Sequence, residues 1–398
     1  MSDSIAAANK MSFRNLIKSN AKNYSMVLML ALIMIIFAFM TDGVNLNSRN
    51  ITNIFMQNSH ILLLATTMIL LIITCNIDLS CPATCAFIGA VSAMLYNTGM
   101  GMIPTVLLSI LLSIAIYAVM GFMVAYMRMP AFIVTLGFML LFRGLVYIIT
   151  NVTPIALKDD GYKKISSGIF NIPALTVDRV HYTAMLVAAV LFVLYVVSEI
   201  AARRKKIRYG FAIPPVAVFI AKIIVIGALI FALGWKFATY RGIPVVLVVL
   251  GCTVGIIHFV SRNTVLGRYI YAVGGNARSA KLSGINSEFV IFIVFCMMGS
   301  VAGLASIVFT GYMNSALPQA GTMFDMDSIA ACYIGGASAT GGIGSVTGAI
   351  IGGLVMAGIN NGMSLMNIAA QWQYVVKAII LLLAVFYDIY SRRKAGLG

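Results

Sequence analysis

The sequence predicts an all-α fold, a polytopic membrane helical bundle of about twelve crossings, ten plus an extra pair. Three observations carry that expectation. The 398 residues are 61% hydrophobic and 10% charged, with a mean hydropathy of +1.00, far from the composition of a water-soluble domain. The chain holds repeated apolar runs of about 20 residues, the length that crosses a hydrocarbon layer as helix. Those runs are continuous, whereas an outer-membrane barrel would show short segments of alternating polarity.

The first element, residues 1–23, is basic (SFRNLIKSNAKNY) but lacks a short apolar core with a small-residue cleavage site. It is therefore read as a retained cytoplasmic segment, followed by an anchor that makes the first crossing. Candidate crossings then run over 24–41, 55–75, 83–99, 104–127, 131–150, 181–200, 213–235, 244–261, 288–311, 327–341, 345–362 and 372–390. An even number puts both termini on one side. Loops on that side, including Lys10, Arg203 to Lys206, Arg208 and Arg392 to Lys394, carry 17 Lys and Arg; loops on the other side, Arg49 and Arg179 among them, carry 7. By the positive-inside rule the termini are cytoplasmic, and the net charge of +16 reflects orientation rather than a nucleic-acid partner. The whole of 24–391 reads as one transmembrane domain: a first half over 24–200, an inserted pair over 181–235 and a second half over 244–391. A cytoplasmic loop spans 262–287 and a tail spans 392–398.

Within the first half the stretch TCNIDLSCPATC, Thr74 to Cys85, interrupts an otherwise continuous apolar run with an acid, a proline and small polar residues. A weak echo appears in the second half, where TGGIGSVTGAIIGGLVMAG, from Thr340, likewise follows an incomplete apolar stretch and leads into a further helix. Interrupted segments at corresponding places of two halves point to a transport pathway, because non-helical backbone at depth survives only where protein or water satisfies it. The residues this singles out are Asp78, Ser80, Pro82, Gly341, Gly342, Gly344 and Ser345. A plain cytoplasmic turn between two crossings is the competing reading, and the sequence weighs the two equally.

Catalysis has little to work with. His60, His181 and His258 lie on separate segments, no Ser/His/Asp or H-E-x-x-H arrangement is present, and no G-x-x-x-x-G-K-[ST] occurs, so the chain is expected to be no enzyme and to hold no cofactor. Asp325 and Asp327 read as helix-start residues. None of the six cysteines has a C-x-x-C spacing; Cys81 and Cys85, four apart, read as small apolar filler ahead of a soft-metal pair, and no metal site is expected. Arg143 lies deep in its crossing and must face the bundle or snorkel outward, the second being slightly preferred. Gly344, Gly348 and Gly352 recur every fourth residue and suit close helix packing. In the basic loop GRYIYAVGGNARSAKLSGIN, the centre Asn276 to Ser283 can form a short amphipathic helix between Gly275 and Gly284, a compact docking element for a cytoplasmic partner.

Several of these stretches together are familiar: IDLS (Ile77 to Ser80), PAFIVTLGFMLLFRG (Pro130 to Gly144), LGRYIYAVGGN (Leu266 to Asn276), AKLSGIN (Ala280 to Asn286) and DSIAACYIGGASATGGIGSVTGAIIGGLVMAGINNGMS (Asp327 to Ser364). In that order, from about Asn50 to the C-terminus, they resemble the permeases of monosaccharide ABC importers of the ribose, galactose and xylose type. The extra pair around RRKKIRYGF (Arg203 to Phe211) looks like the xylose and multiple-monosaccharide branch. The resemblance implies a bacterial inner-membrane permease working as a pair, a homodimer, with a cytoplasmic ATPase of two nucleotide-binding domains that holds the ATP and Mg, and an extracytoplasmic binding protein that delivers a pentose or hexose. It also implies that Gly274, Gly275, Asn276, Arg278, Ala280, Lys281, Leu282, Ser283 and Gly284 couple the permease to the ATPase. Two departures stand out: Cys81, Pro82 and Ala83 where the family usually has Val-Gly-Ser, and Arg278 and Ser279 where it usually has an acid and Ala. A secondary sugar transporter or channel without an ATPase is the alternative.

Overall fold

The computed structural model describes residues 13–177, 180–211 and 213–394. The first part of the expected N-terminal segment (residues 1–12, with Lys10), Arg179 and the end of the tail (395–398) lie outside the described residues.

The chain is helical almost throughout. In order come α1 (Phe13–Met40), α2 (Ser48–Ile73), α3 (Cys81–Asn97), α4 (Met102–Ala125), α5 (Ala131–Thr150) and the single turn α6 (Lys164–Ser167). After these follow α7 (Tyr182–Arg208), α8 (Val216–Ala238), α9 (Val245–Asn263), α10 (Val265–Gly275), α11 (Ala277–Leu282), α12 (Ser287–Met313), α13 (Phe324–Ile334), α14 (Val346–Leu365) and α15 (Ala370–Lys394). Among the described residues nine helices are long and apolar enough to cross a membrane, and Met26–Met40 and Cys81–Asn97 are shorter apolar helices. The crossing expected over 327–341 is the exception. Its helix stops at Ile334 after 11 residues, roughly 16 Å of rise against about 30 Å of hydrocarbon. Two glycines end it: Gly335 caps the helix, and Gly336 turns away at φ +82°.

The chain divides into two compact units. One contains Leu46–Thr52, Ile169–Ile243 and the described residues up to Val27. In it α7 and α8 form an antiparallel hairpin, closed where helical glycines let the partner in: a Cβ on Gly227 would lie 2.6 Å from the Phe192 ring, and one on Gly234 would lie 2.8 Å from the Ala188 methyl. Lys222 bonds Glu199 at 2.7 Å across the hairpin. Most of both helices is exposed, as helices bathed in lipid are.

The other unit holds Leu28–Asn45, Asn53–Gly168 and Pro244–Gly398. Its axis is α2, whose Leu62, Leu63, Leu64, Met68, Ile69, Leu70, Leu71 and Ile73 are completely buried. A helix that is apolar on every side belongs inside the bundle. Alongside, α12 presses Gly299 and Gly303 onto α4, where added Cβ atoms would meet Tyr117 Cβ at 2.6 Å and Ser113 Cβ at 2.9 Å. Ser113 Oγ uses the close approach to donate to the Gly299 carbonyl at 2.7 Å. Ile155–Ala156, in the loop after α5, pairs antiparallel with Ser315–Ala316, just after α12, which ties those two loops together.

Candidate functional site

The first break begins where α2 ends. Thr74 Oγ1 donates back to the carbonyls of Leu70 and Leu71, Cys75 takes a left-handed φ of +60°, and Asn76 N–H returns to the Leu71 carbonyl at 2.9 Å. Together these satisfy the last carbonyls of α2 and stop it. After a short extended stretch the chain restarts at Cys81 with Pro82 in the first turn, where a missing N–H does no harm. Asp78 sits inside this break with no exposed surface. Its Oδ1 accepts from Ser80 N–H at 2.7 Å and from the Ser80 hydroxyl, and its Oδ2 accepts from Tyr117 Oη at 2.7 Å. A buried carboxyl needs such donors, because one without partners would cost several kcal/mol.

The second break joins α13 to α14. Gly341 and Gly342 turn it at φ +79° and +71°, a region that only glycine enters freely. Ser345 Oγ then caps α14 by accepting from Gly348 N–H at 3.1 Å.

The two breaks touch, and α10 touches both. Gly342 N–H donates to the Ile73 carbonyl at 2.9 Å, and Cys75 Sγ lies 3.2 Å from the Thr340 carbonyl. A Cβ on Gly341 would come within 2.2 Å of Cys75 Sγ and 2.8 Å of the Gly274 carbonyl, while one on Gly274 would stand 1.8 Å from the Ile73 carbonyl. Three backbone segments therefore cross at contact distance, and only glycine fits at the crossing. Tyr271 Oη adds a bond to the Gly344 carbonyl at 3.0 Å. Gly274 is thus the glycine that this loop requires, whereas Gly275 is helical and a Cβ there would meet nothing.

Beyond the crossing the loop helix is α11. Asn276 Oδ1 caps it through Ser279 N–H at 2.9 Å, Ala280 points inward, and Gly284 reverses the chain at φ +83°. Leu282 is 85% exposed, a large apolar side chain standing in solvent, and Ser283 closes the helix by donating to Ser279 at 3.0 Å. The pair Arg278 and Lys281 does not present two free charges, as their spacing suggests: Lys281 Nζ bonds Glu288 at 2.6 Å, with Arg128 3.8 Å from the same carboxylate. Of the two, Arg278 is the one that makes no ion pair among the described residues, and it is exposed. A cleft of about 580 Å³ opens between the first break, the connection from α4 to α5 and the start of α12, with Cys75, Asn76, Arg128 and Glu288 in its wall.

Other singled-out residues lie elsewhere in the bundle. Arg143 does not snorkel outward: its Nη1 donates to the carbonyls of Pro318 and Ala320 at 2.9 and 3.0 Å, in the loop between α12 and α13. Gly344 precedes α14 and packs on Ile69 and Ile73, so the expected glycine face starts later. Cβ atoms on Gly348 and Gly352 would strike the carbonyls of Gly335 and Ala331, within this same chain. Cys81 and Cys85 are buried among helices, and no group of three metal-binding side chains occurs among the described residues.

Reading by sequence missed one constellation. Asp327 is almost fully buried in the first turn of α13, and its Oδ2 accepts from Lys377 Nζ at 2.8 Å and from Asn360 Nδ2 at 3.1 Å, which ties α13 to both α14 and α15. The available signal was Lys377, a cation inside an apolar run, which requires an acid nearby.

Paired helix interruptions, satisfied internally and joined to a capped helix in a polar loop, define a multi-pass membrane transport component. The family model described as branched-chain amino acid transport system / permease component matches residues 168–385, and the chain belongs to that family. It is similar to the xylose transport system permease protein of Escherichia coli, 34% identical over 389 residues that cover 96% of this chain and 95% of that one. The xylose transport system permease protein of Haemophilus influenzae is also 34% identical, over 94% of this chain and 98% of its own. The ribose import permease protein of Escherichia coli is 31% identical, with 92% of each chain covered. No solved structure matches the chain.

Proposed function

We propose that this chain is the membrane-spanning subunit of an ABC importer that moves a monosaccharide of the pentose or hexose class inward. The sugar arrives from an extracytoplasmic binding protein. A separate cytoplasmic ATPase with two nucleotide-binding domains, holding ATP and Mg, supplies the energy; this chain carries no hydrolytic site and needs no cofactor of its own. Two copies form the pathway in the bacterial inner membrane, with both termini, the 262–287 loop and the tail cytoplasmic.

The observation that carries this reading is the crossing of Gly274 with Ile73 and Gly342. It gives a loop helix a rigid hold on both helix breaks at once. Displacing α11 would then move Asp78 and Ser80 on one side and Gly341 to Ser345 on the other, which is the physical contact that coupling needs. Exposed Leu282 and Arg278 are the groups that α11 offers to the ATPase, while Lys281 stays occupied with Glu288. The sugar class comes from the relatives, which match over nearly the whole chain.

The test is copurification with the cognate ATPase, followed by hydrolysis measured with and without sugar-loaded binding protein. Xylose- or ribose-stimulated hydrolysis is expected in the parent. Arg278→Glu and Leu282→Ala should each weaken ATPase capture at unchanged thermal stability. Sugar uptake by the chain without any ATPase would instead establish a secondary transporter.

A further inference from the structure

The α7–α8 hairpin ends in a stretch that transport leaves unused, RRKKIRYGF, residues 203–211. Arg203, Arg204, Lys205, Lys206 and Arg208 put five cations into six positions at the end of a helix that is 11% buried over its apolar length. Among the described residues, Arg204, Lys205, Lys206 and Arg208 are exposed and make no ion pair. Glu199, the acid closest in sequence, is already bonded to Lys222. Arg203 lies 4.7 Å over the Phe219 ring, and its Nη1 is buried with no acceptor. Large apolar groups alternate with these cations: Ile207 is 55% exposed, Tyr209 64% and Phe211 64%. Gly210, at φ +69°, folds the chain so that Phe211 N–H returns to the Lys206 carbonyl at 2.9 Å, which keeps the aromatics beside the charges.

We propose that this stretch is a binding site for anionic phospholipid, with the headgroup phosphate held by Arg204, Lys205, Lys206 and Arg208 and the acyl boundary met by Ile207, Tyr209 and Phe211. The orientation rule accounts for positive charge on one side of a membrane. It does not account for exposed Ile, Tyr and Phe between the charges. That arrangement follows where the cations meet phosphate and the apolar groups sit at the depth of the headgroups. An acidic protein groove would satisfy the charges but would leave those three side chains at a lipid boundary without a role. The site rests on α7 and α8 lying in the bilayer, and not on the sugar reading.

The experiment uses the purified full-length chain in neutral detergent, titrated with phosphatidylglycerol, phosphatidylcholine and inorganic phosphate, with retained lipid counted by native mass spectrometry. Orientation of insertion does not enter such a measurement. Phosphatidylglycerol should bind more tightly than phosphatidylcholine and more weakly as salt rises. The combined variant Arg204→Gln, Lys205→Gln, Lys206→Gln, Arg208→Gln should lose on the order of a hundredfold or more in affinity, at roughly fivefold per charge near a surface. The charge-preserving variant Arg204→Lys, Arg208→Lys should bind within about twofold of the parent, and it guards against misfolding of the first variant. Tyr209→Ala with Phe211→Ala should weaken phosphatidylglycerol and leave any binding of inorganic phosphate unchanged. Equal affinity for the two lipids, full displacement of phosphatidylglycerol by millimolar phosphate, or unchanged lipid binding in the four-fold Gln variant would each overturn the proposal. So would a Gln variant that keeps its lipid and loses its ATPase, which would make the stretch a protein contact. Sugar uptake is not a readout here, so failure of the lipid site leaves the transport reading standing.

Discussion

Gly342 donates its backbone N–H to the carbonyl of Ile73 at 2.9 Å, so the loop between α13 and α14 supplies a donor to the end of α2. That bond joins two segments more than 260 positions apart in the chain, and Gly274 of α10 lies against the same carbonyl. The predictions below follow from this junction and from the buried polar groups around it.

Gly274→Ala should damage the junction. Its methyl would stand 1.8 Å from the Ile73 oxygen, and relieving that clash shifts backbone rather than a flexible side chain, at a cost of about 1–3 kcal/mol or more. Gly275→Ala, whose added methyl would meet no other atom, should be neutral. Thermal unfolding of the two variants in the same detergent is the comparison; similar midpoints would contradict the geometry.

The hold on Asp78 can be dissected. Tyr117→Phe removes one hydrogen bond to a buried carboxyl, a loss of about 1.5–3 kcal/mol if that carboxyl is charged. Asp78→Asn should assemble and unfold near the parent midpoint but transport more slowly. Combined with Tyr117→Phe, it should cost less than the sum of the two single changes, because the groups share one network. Additive effects would mean that the bond contributes nothing.

Lys377→Met strands the Asp327 carboxylate in the bundle. Breaking a buried pair by removing one partner costs about 3–5 kcal/mol, so the folded yield should fall sharply. Adding Asp327→Asn removes the stranded charge and should restore much of it. Size-exclusion profiles of the single and double variants decide the matter.

One group in the polar loop after α5 predicts a pH dependence. Asp159 accepts from the Tyr96 hydroxyl and from Gly161 N–H, and those donors hold its carboxyl below the usual carboxylate range, the Tyr96 bond contributing most. A depressed folded value means that the stabilisation is present above the unfolded pKa of about 3.9 and is lost as pH falls through the folded one. Asp159→Asn should therefore unfold at a lower temperature than the parent at neutral pH, with the gap closing under strong acid. A gap that stays constant with pH would show that the carboxylate charge is not responsible.

Much of the helical scaffold was legible because hydrophobic length and loop polarity are local properties. Apart from the one over 327–341, the expected crossings coincide with apolar helices, nine of them of spanning length among the described residues, and Asn276 caps the short loop helix close to where the glycines and polar residues place it. The exception over 327–341 shows the limit: Cys332, Tyr333 and Ile334 continue an apolar run, yet the helix stops because Gly335 and Gly336 release the chain toward the α2 terminus. Arg143 and Lys281 mark the same limit for charge. Their surroundings along the chain suggested solvent or a partner protein, and each is instead held by groups distant in sequence or one helix on, the carbonyls of Pro318 and Ala320 and the carboxylate of Glu288.

By itself the sequence determined that this is a helical membrane protein with an interruption in each half and a capped polar loop, since length, periodicity and cap chemistry act over a few residues. Only the tertiary structure decided that the two interruptions and α10 meet at one point, because that depends on backbones brought within contact distance at Gly274, Gly341 and Gly342. It likewise decided that Asp78 belongs to Tyr117 and Asp327 to Lys377. A buried acid announces in sequence that it needs a donor, but which donor reaches it is settled by how the helices pack.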